Sequence, residues 1–186
     1  MYIVLSFIVL FYLYFKFKPK NIYHFISLGD KEKLIEYIKL NPKSVNYNKH
    51  FVTPLSSAIW YGDIEIIDTL LKYGANPNLL SSEGDSAVHR AGYRSDLKIL
   101  KLLEEYGADF NQSTNYNRKY TREMKPFYEL QYFSPSYLES NKEKIESYIK
   151  FYKDHFKRNN IDLKLHSWML DFDSLMRNSK KMHSFQ

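Results

Sequence analysis

Apolar positions in the first half of this chain fall into short helical runs that recur. Leu55, Ala58 and Ile59 share one helical face, and Ile66, Ile67, Leu70 and Leu71 share another, with Gly62-Asp63 between them. The pattern predicts two short antiparallel helices. Thr53 suits the N-cap of the first, and Pro54 is tolerated at its first position. Gly74 ends the second, because glycine accepts the left-handed conformation that follows a helix, and Asn76-Pro77-Asn78 is turn chemistry. The arrangement returns 33 residues later as Ser86-Ala87-Val88, Ala91, Ser95-Asp96-Leu97, Leu103, Gly107-Ala108-Asp109 and Asn111. Gly84, just before this second copy, suits the tip of a tight hairpin. A fainter copy precedes both: Ile22, Phe25, Gly29-Asp30, Leu34, Tyr37-Ile38 and Asn46, with Asn41-Pro42 in place of the Gly-Ala pair. Phe25 stands where the other copies have Ala58 and Ala91, so packing there must differ. A fixed period of this length marks a stacked repeat, and a divergent first copy is expected of a unit that caps the stack. The residues near Lys119, where a further copy would start, carry no matching motif, so the array stops at three.

Thr53-Pro54-Leu55, Ala58, Gly62-Asp63, Leu70-Leu71 and Gly74-Ala75-Asn76-Pro77-Asn78 resemble the ankyrin repeat family, and Gly84, His89 and Gly107-Ala108-Asp109-Phe110-Asn111 extend the likeness. The resemblance covers residues 21–111, in copies at 22–46, 53–78 and 86–111. It implies an all-α solenoid of helix-turn-helix repeats with short hairpin loops, and a protein-binding function. It also implies that His89 fixes its turn by hydrogen bonding. Family geometry would place Trp60, Tyr61, Tyr93 and Arg94 in a concave groove, flanked by Tyr73 and Tyr106, with the hairpin tips Lys49-His50 and Ser82-Glu83 at the rim. Trp, Tyr and Arg dominate interface hot spots, because they present large, stiff area with a polar tip. The competing role for these positions is a packing surface for the C-terminal helices, folded back into the groove.

The flanks read differently. Met1 to Phe15 contains no charge, and Lys16, Lys18 and Lys20 follow. A helix over 1–17, with Lys16 snorkelling, reaches the lower limit for crossing a hydrocarbon core of ~30 Å. The expectation is an uncleaved single-pass anchor, with the basic side, and so the repeat domain, in the cytoplasm. A cleaved signal is the rival, but bulky Tyr, Phe and Lys occupy the stretch where cleavage would fall. A third possibility is that this segment packs on the body. Beyond the repeats, residues 112–134 read as a loop. Two helices are expected in 135–178: Ser136–Arg158, with Leu138, Ile145, Tyr148, Ile149, Tyr152 and Phe156 on one face, and Asp162–Arg177, with Leu165, Trp168, Met169, Phe172, Leu175 and Met176. They are expected to cap the open end of the stack, leaving 179–186 as a tail.

Charge and composition narrow the function. The net charge of +6 is uneven: residues 21–111 hold 10 Lys/Arg against 12 Asp/Glu, whereas 112–186 hold 14 against 9. No compact basic patch argues for nucleic acid. The absence of Cys removes disulfides, thiol chemistry and Cys-based zinc sites. None of the six His residues forms a metal-binding helical pair, and no phosphate loop, dinucleotide fingerprint or nucleophile elbow is present. The expectation is a binding protein and not an enzyme, with no catalytic residues, no metal, no cofactor, no small-molecule substrate, and another protein as partner. Two further readings remain open: an immunity or inhibitor protein that neutralises a toxin or enzyme, and an enzyme or membrane factor with its activity in 112–186.

Overall fold

The computed structural model describes residues 21–47, 52–82, 84–112, 114–115, 123–124, 130, 133–160 and 171–184. The expected membrane segment 1–17 lies outside them. Among the described residues no helix is long and apolar enough to cross a membrane.

Three helix pairs stack in sequence order. They are α1 (Ile22–Leu28) with α2 (Lys31–Leu40), α3 (Pro54–Tyr61) with α4 (Ile64–Lys72), and α5 (Ala87–Arg94) with α6 (Leu97–Glu105). The first helices α1, α3 and α5 pack side by side in one layer, and α2, α4 and α6 in a second. Ala58 and Ala91 are completely buried between neighbouring first helices, where a larger side chain would push the layers apart. Phe25, at the corresponding position of the end repeat, turns towards Tyr37 of α2, with ring centroids 5.4 Å apart.

Each helix starts and stops on a named residue. Thr53 Oγ1 accepts the Ser56 N–H at 3.0 Å, and Asp63 Oδ1 accepts from Glu65 and Ile66 at the start of α4. Gly62 closes α3 at φ 77°, a conformation that is costly for residues with a Cβ. In the third repeat Ser95 takes that role at φ 47°. Buried His89 accepts the Ser86 N–H on Nδ1 at 3.3 Å, so the ring carries its proton on Nε2, and Ser86 Oγ lies 2.8 Å from the same atom. The turn role implied for His89 is thus observed.

Successive repeats are pinned by an asparagine ladder. Asn46 Nδ2 donates to the Gly74 carbonyl at 2.8 Å and its Oδ1 accepts the Asn76 N–H at 2.8 Å. One period on, Asn78 Nδ2 donates to the Gly107 carbonyl at 3.1 Å and Oδ1 accepts the Asp109 N–H at 2.6 Å. Each asparagine therefore satisfies one donor and one acceptor that the helix ends and turns leave unpaired.

The remainder departs from the expected helix boundaries. Thr114–Asn115 pairs antiparallel with Glu123–Met124 inside the segment read as loop. The helix expected over Ser136–Arg158 is two helices, α7 (Pro135–Ser140) and α8 (Lys142–Arg158). The break is at Asn141, whose Nδ2 donates to the Tyr137 carbonyl at 2.8 Å and whose backbone leaves helical geometry at φ −119°, ψ 22°. The last described helix, α9, spans Phe172–His183. It starts at Asp171, which accepts the Ser174 N–H at 2.7 Å, and runs through much of the segment read as tail. Leu165, Trp168 and Met169 lie outside the described residues.

One apolar core runs from Ile22 through the repeats to Phe172 and Leu175. Phe110, fully buried, forms the seat of α8: its ring centroid lies 5.6 Å from Phe151, 5.5 Å from Tyr152 and 4.4 Å from His155. Above that seat, Glu104 of α6 accepts from His155 Nδ1 at 2.5 Å and from Arg158 at 2.6 Å. Partial burial pushes the Glu104 carboxyl up, but the hydrogen bonds from His155 and Arg158, with the Arg158 charge, outweigh it and hold it below the ordinary glutamate value. The stability this adds is complete above the unfolded value and is lost as pH falls through the folded one. Glu104→Gln is therefore expected to cost about 1–3 kcal/mol at neutral pH. In thermal melts down a pH series, the gap between wild type and variant should close below the carboxylate range; a constant gap contradicts the ionised contact.

Candidate functional site

The first-helix layer presents a regular grid. At the 33-residue period its outward positions are His24, Ser57 and Arg90 in one row, Ser27, Trp60 and Tyr93 in the next, and Leu28, Tyr61 and Arg94 in the third. The second and third rows are exposed throughout. Trp60 is 65% exposed and Tyr61 54%, high values for side chains whose burial would remove 150–250 Å² of mostly apolar surface from water. The described C-terminal helices pack on the end of the stack through Phe110 and Glu104 and leave these side chains open.

The six groove candidates do not form one patch. Trp60, Tyr61, Tyr93 and Arg94 end the first helices and lie together at the inter-helix turns. Tyr73 and Tyr106 follow the second helices, which run back the other way, so they sit at the opposite end of each repeat. Tyr106 Oη donates to Asp68 of α4 at 3.4 Å, which places it on the second-helix layer. Both tyrosines remain about a third exposed, but as a separate surface. The expected flanking arrangement is corrected by the reversal of chain direction between the paired helices.

Of the rim candidates, Ser82 is exposed at the second hairpin tip; Lys49, His50 and Glu83 lie outside the described residues. Tyr23 Oη sits 2.7 Å from the carbonyls of both Tyr47 and Val52, at the two ends of the first hairpin. The second hairpin is closed by the Ser81 N–H donating to the Asp85 carbonyl at 2.8 Å, and buried Asp85 pairs with Arg90 at 3.1 Å.

Sequence spacing did not reveal the fixing of Arg94. Its Nη1 donates to the Trp60 carbonyl at 2.9 Å, one of the acceptors left unpaired at the end of α3. The guanidinium lies so close over Gly62 that an added Cβ there would collide with it. The motif repeats one layer on: Lys144 Nζ of α8 donates to the Arg94 carbonyl at 2.8 Å. At the ends of α3 and α5 a cation from the following layer thus satisfies the helix end before it, where the helix dipole favours positive charge.

Among the described residues, two clefts lie beside second helices and not on this surface. One of about 600 Å³ lies between α6 and α8, lined by Lys101, Glu104, Lys150, Phe151, Asp154 and Arg158 among others. The other, about 530 Å³, lies at the end of α2 beside Tyr37, Pro42 and Tyr47. Among the described residues no cluster of three or more His, Asp or Glu side chains is placed to hold a metal ion.

This chain belongs to the ankyrin repeat family: the family model "Ankyrin repeats (3 copies)" matches residues 22–114, half of the chain. Its repeats define a protein–protein interaction module. Among similar proteins, the chicken nuclear factor NF-kappa-B p105 subunit is 33% identical over 90 residues, covering 45% of this chain and 9% of that protein. The fowlpox virus ankyrin repeat protein FPV222 is 38% identical over 91 residues, covering 48% of this chain and 12% of its own. Human BCL-6 corepressor-like protein 1 is 32% identical over 83 residues, covering 44% and 5%. The matched stretch spans 9%, 12% and 5% of the length of these relatives.

Proposed function

We propose that this protein holds a protein partner against its first-helix face, with Trp60, Tyr61, Tyr93 and Arg94 as the principal contacts. The observation that carries the reading is the exposure of Trp60, Tyr61 and Tyr93 on a layer that the described C-terminal helices leave uncovered. Stiff aromatic side chains on a preformed surface lose little entropy on binding, which is why such positions concentrate affinity. Tyr73 and Tyr106 fall outside that patch and, with the hairpin tips Lys49-His50 and Ser82-Glu83, would tune selectivity. The apolar, uncharged Met1–Phe15 followed by Lys16, Lys18 and Lys20 supports tethering to a membrane, with the repeats on the cytoplasmic side.

Trp60→Ala combined with Tyr93→Ala should abolish capture of a cellular partner, each truncation removing about 2 kcal/mol or more of binding. Tyr73→Ala combined with Tyr106→Ala should leave capture nearly unchanged. Equal loss from both pairs, with the helical signal intact in each, would move the site off the first-helix face. Separately, deletion of residues 1–20 should shift the protein from the membrane to the soluble fraction of lysed cells; persistence at the membrane would remove the tether from the account.

A further inference from the structure

The first helices of the three repeats carry no carboxylates. Helices α1, α3 and α5 contain no Asp or Glu, whereas α2, α4 and α6 carry six. A mildly acidic repeat domain has therefore placed its helical acids on one layer and left the aromatic layer with His24, Arg90 and Arg94. Arg90 is matched by Asp85. Arg94 is different: among the described residues no carboxylate pairs with it, and its Nη1 donates to the neutral Trp60 carbonyl. The nearby Asp63 and Asp96 are engaged as helix caps, accepting the backbone N–H groups of Glu65 and Ile66 and of Lys98 and Ile99.

A guanidinium has five donors in a fixed plane. One of Arg94 is spent on Trp60, which holds the plane over Gly62 beside exposed Trp60 and Tyr61. Lys144, exposed and anchored on the Arg94 carbonyl, adds a second cation one layer further on. A fixed fork presents its remaining donors to a carboxylate in bidentate geometry with little entropy left to lose, and the aromatic faces beside it take apolar side chains.

We infer that the occupant of the first-helix face is a peptide segment carrying an Asp or Glu next to a large apolar residue, the carboxylate on Arg94 and the apolar side chain against Trp60 and Tyr93. This rests on the proposal that the face binds protein and adds the chemistry it selects.

The test uses the full chain as bait for a displayed library of random peptides. Recovered peptides should be enriched in Asp or Glu beside aliphatic or aromatic residues. Replacing that acid by its amide in a synthetic labelled peptide should weaken binding about 10-fold, as expected for loss of a charge-assisted hydrogen bond. The loss should shrink with added salt. Arg94→Gln should weaken the acidic peptide to the same extent and leave the amide peptide unaffected. Because the peptide substitution leaves the protein untouched, it remains decisive if Arg94→Gln misfolds. Peptides that depend on Trp60 and Tyr93 but are neutral or basic, or bind equally as acid and amide, overturn the acidic selectivity while the binding face stands. Recovery of no peptide that depends on Trp60 or Tyr93 overturns both.

Discussion

No helix pair in the repeats of this chain can bury its own apolar face. The helices are 7 to 10 residues long, too short to persist alone in water, and each exposes one face that only the next layer covers. Stacking is the constraint from which the rest follows. It demands small residues between first helices, which Ala58 and Ala91 supply. It demands partners for the polar groups at every helix end, which the Asn46 and Asn78 ladder, the Asp caps and Arg94 supply. It also demands that each end of the array be closed.

The two ends of the array differ. At the first repeat Phe25, in the position of Ala58 and Ala91, is buried and packs against Tyr37 with ring centroids 5.4 Å apart. At the third, α8 lies on Phe110 and is held by Glu104 from above and by Lys144 at the Arg94 carbonyl. Lys144 repeats for α5 what Arg94 does for α3, so in that contact α8 stands in for a fourth repeat without sharing its sequence. Because the described closure uses the end of the stack, Trp60, Tyr61 and Tyr93 on the first-helix face stay exposed, and the functional proposal depends on that division.

What the sequence made legible follows the range of the interactions. The cap at Thr53, the turn at Gly62-Asp63 and the buried faces of α3 and α4 are set by residues within a few positions of one another, and all are legible in the repeat. The His89 turn was readable by family likeness. Interactions across layers were not. Glu104 meets His155 and Arg158 across 51 and 54 residues, and no local pattern announces that contact. Tyr73 and Tyr106 were misplaced because the two helices of a repeat run in opposite directions, which carries equivalent-looking tyrosines to opposite ends. The break at Asn141 is hidden because Leu138 and Ile145 continue an apolar stripe across a residue whose side chain bonds back to the first helix while its backbone opens the second.

The central claim is that α8 closes the stack as an integral layer and so leaves the first-helix face free. Amide hydrogen exchange on the full chain tests it most directly. The account predicts that the amides around Ile145, Tyr148 and Tyr152 exchange with the same opening free energy as those of α6. Fast exchange in α8 with α6 still protected would show a detachable helix, free to lie elsewhere, and would contradict it.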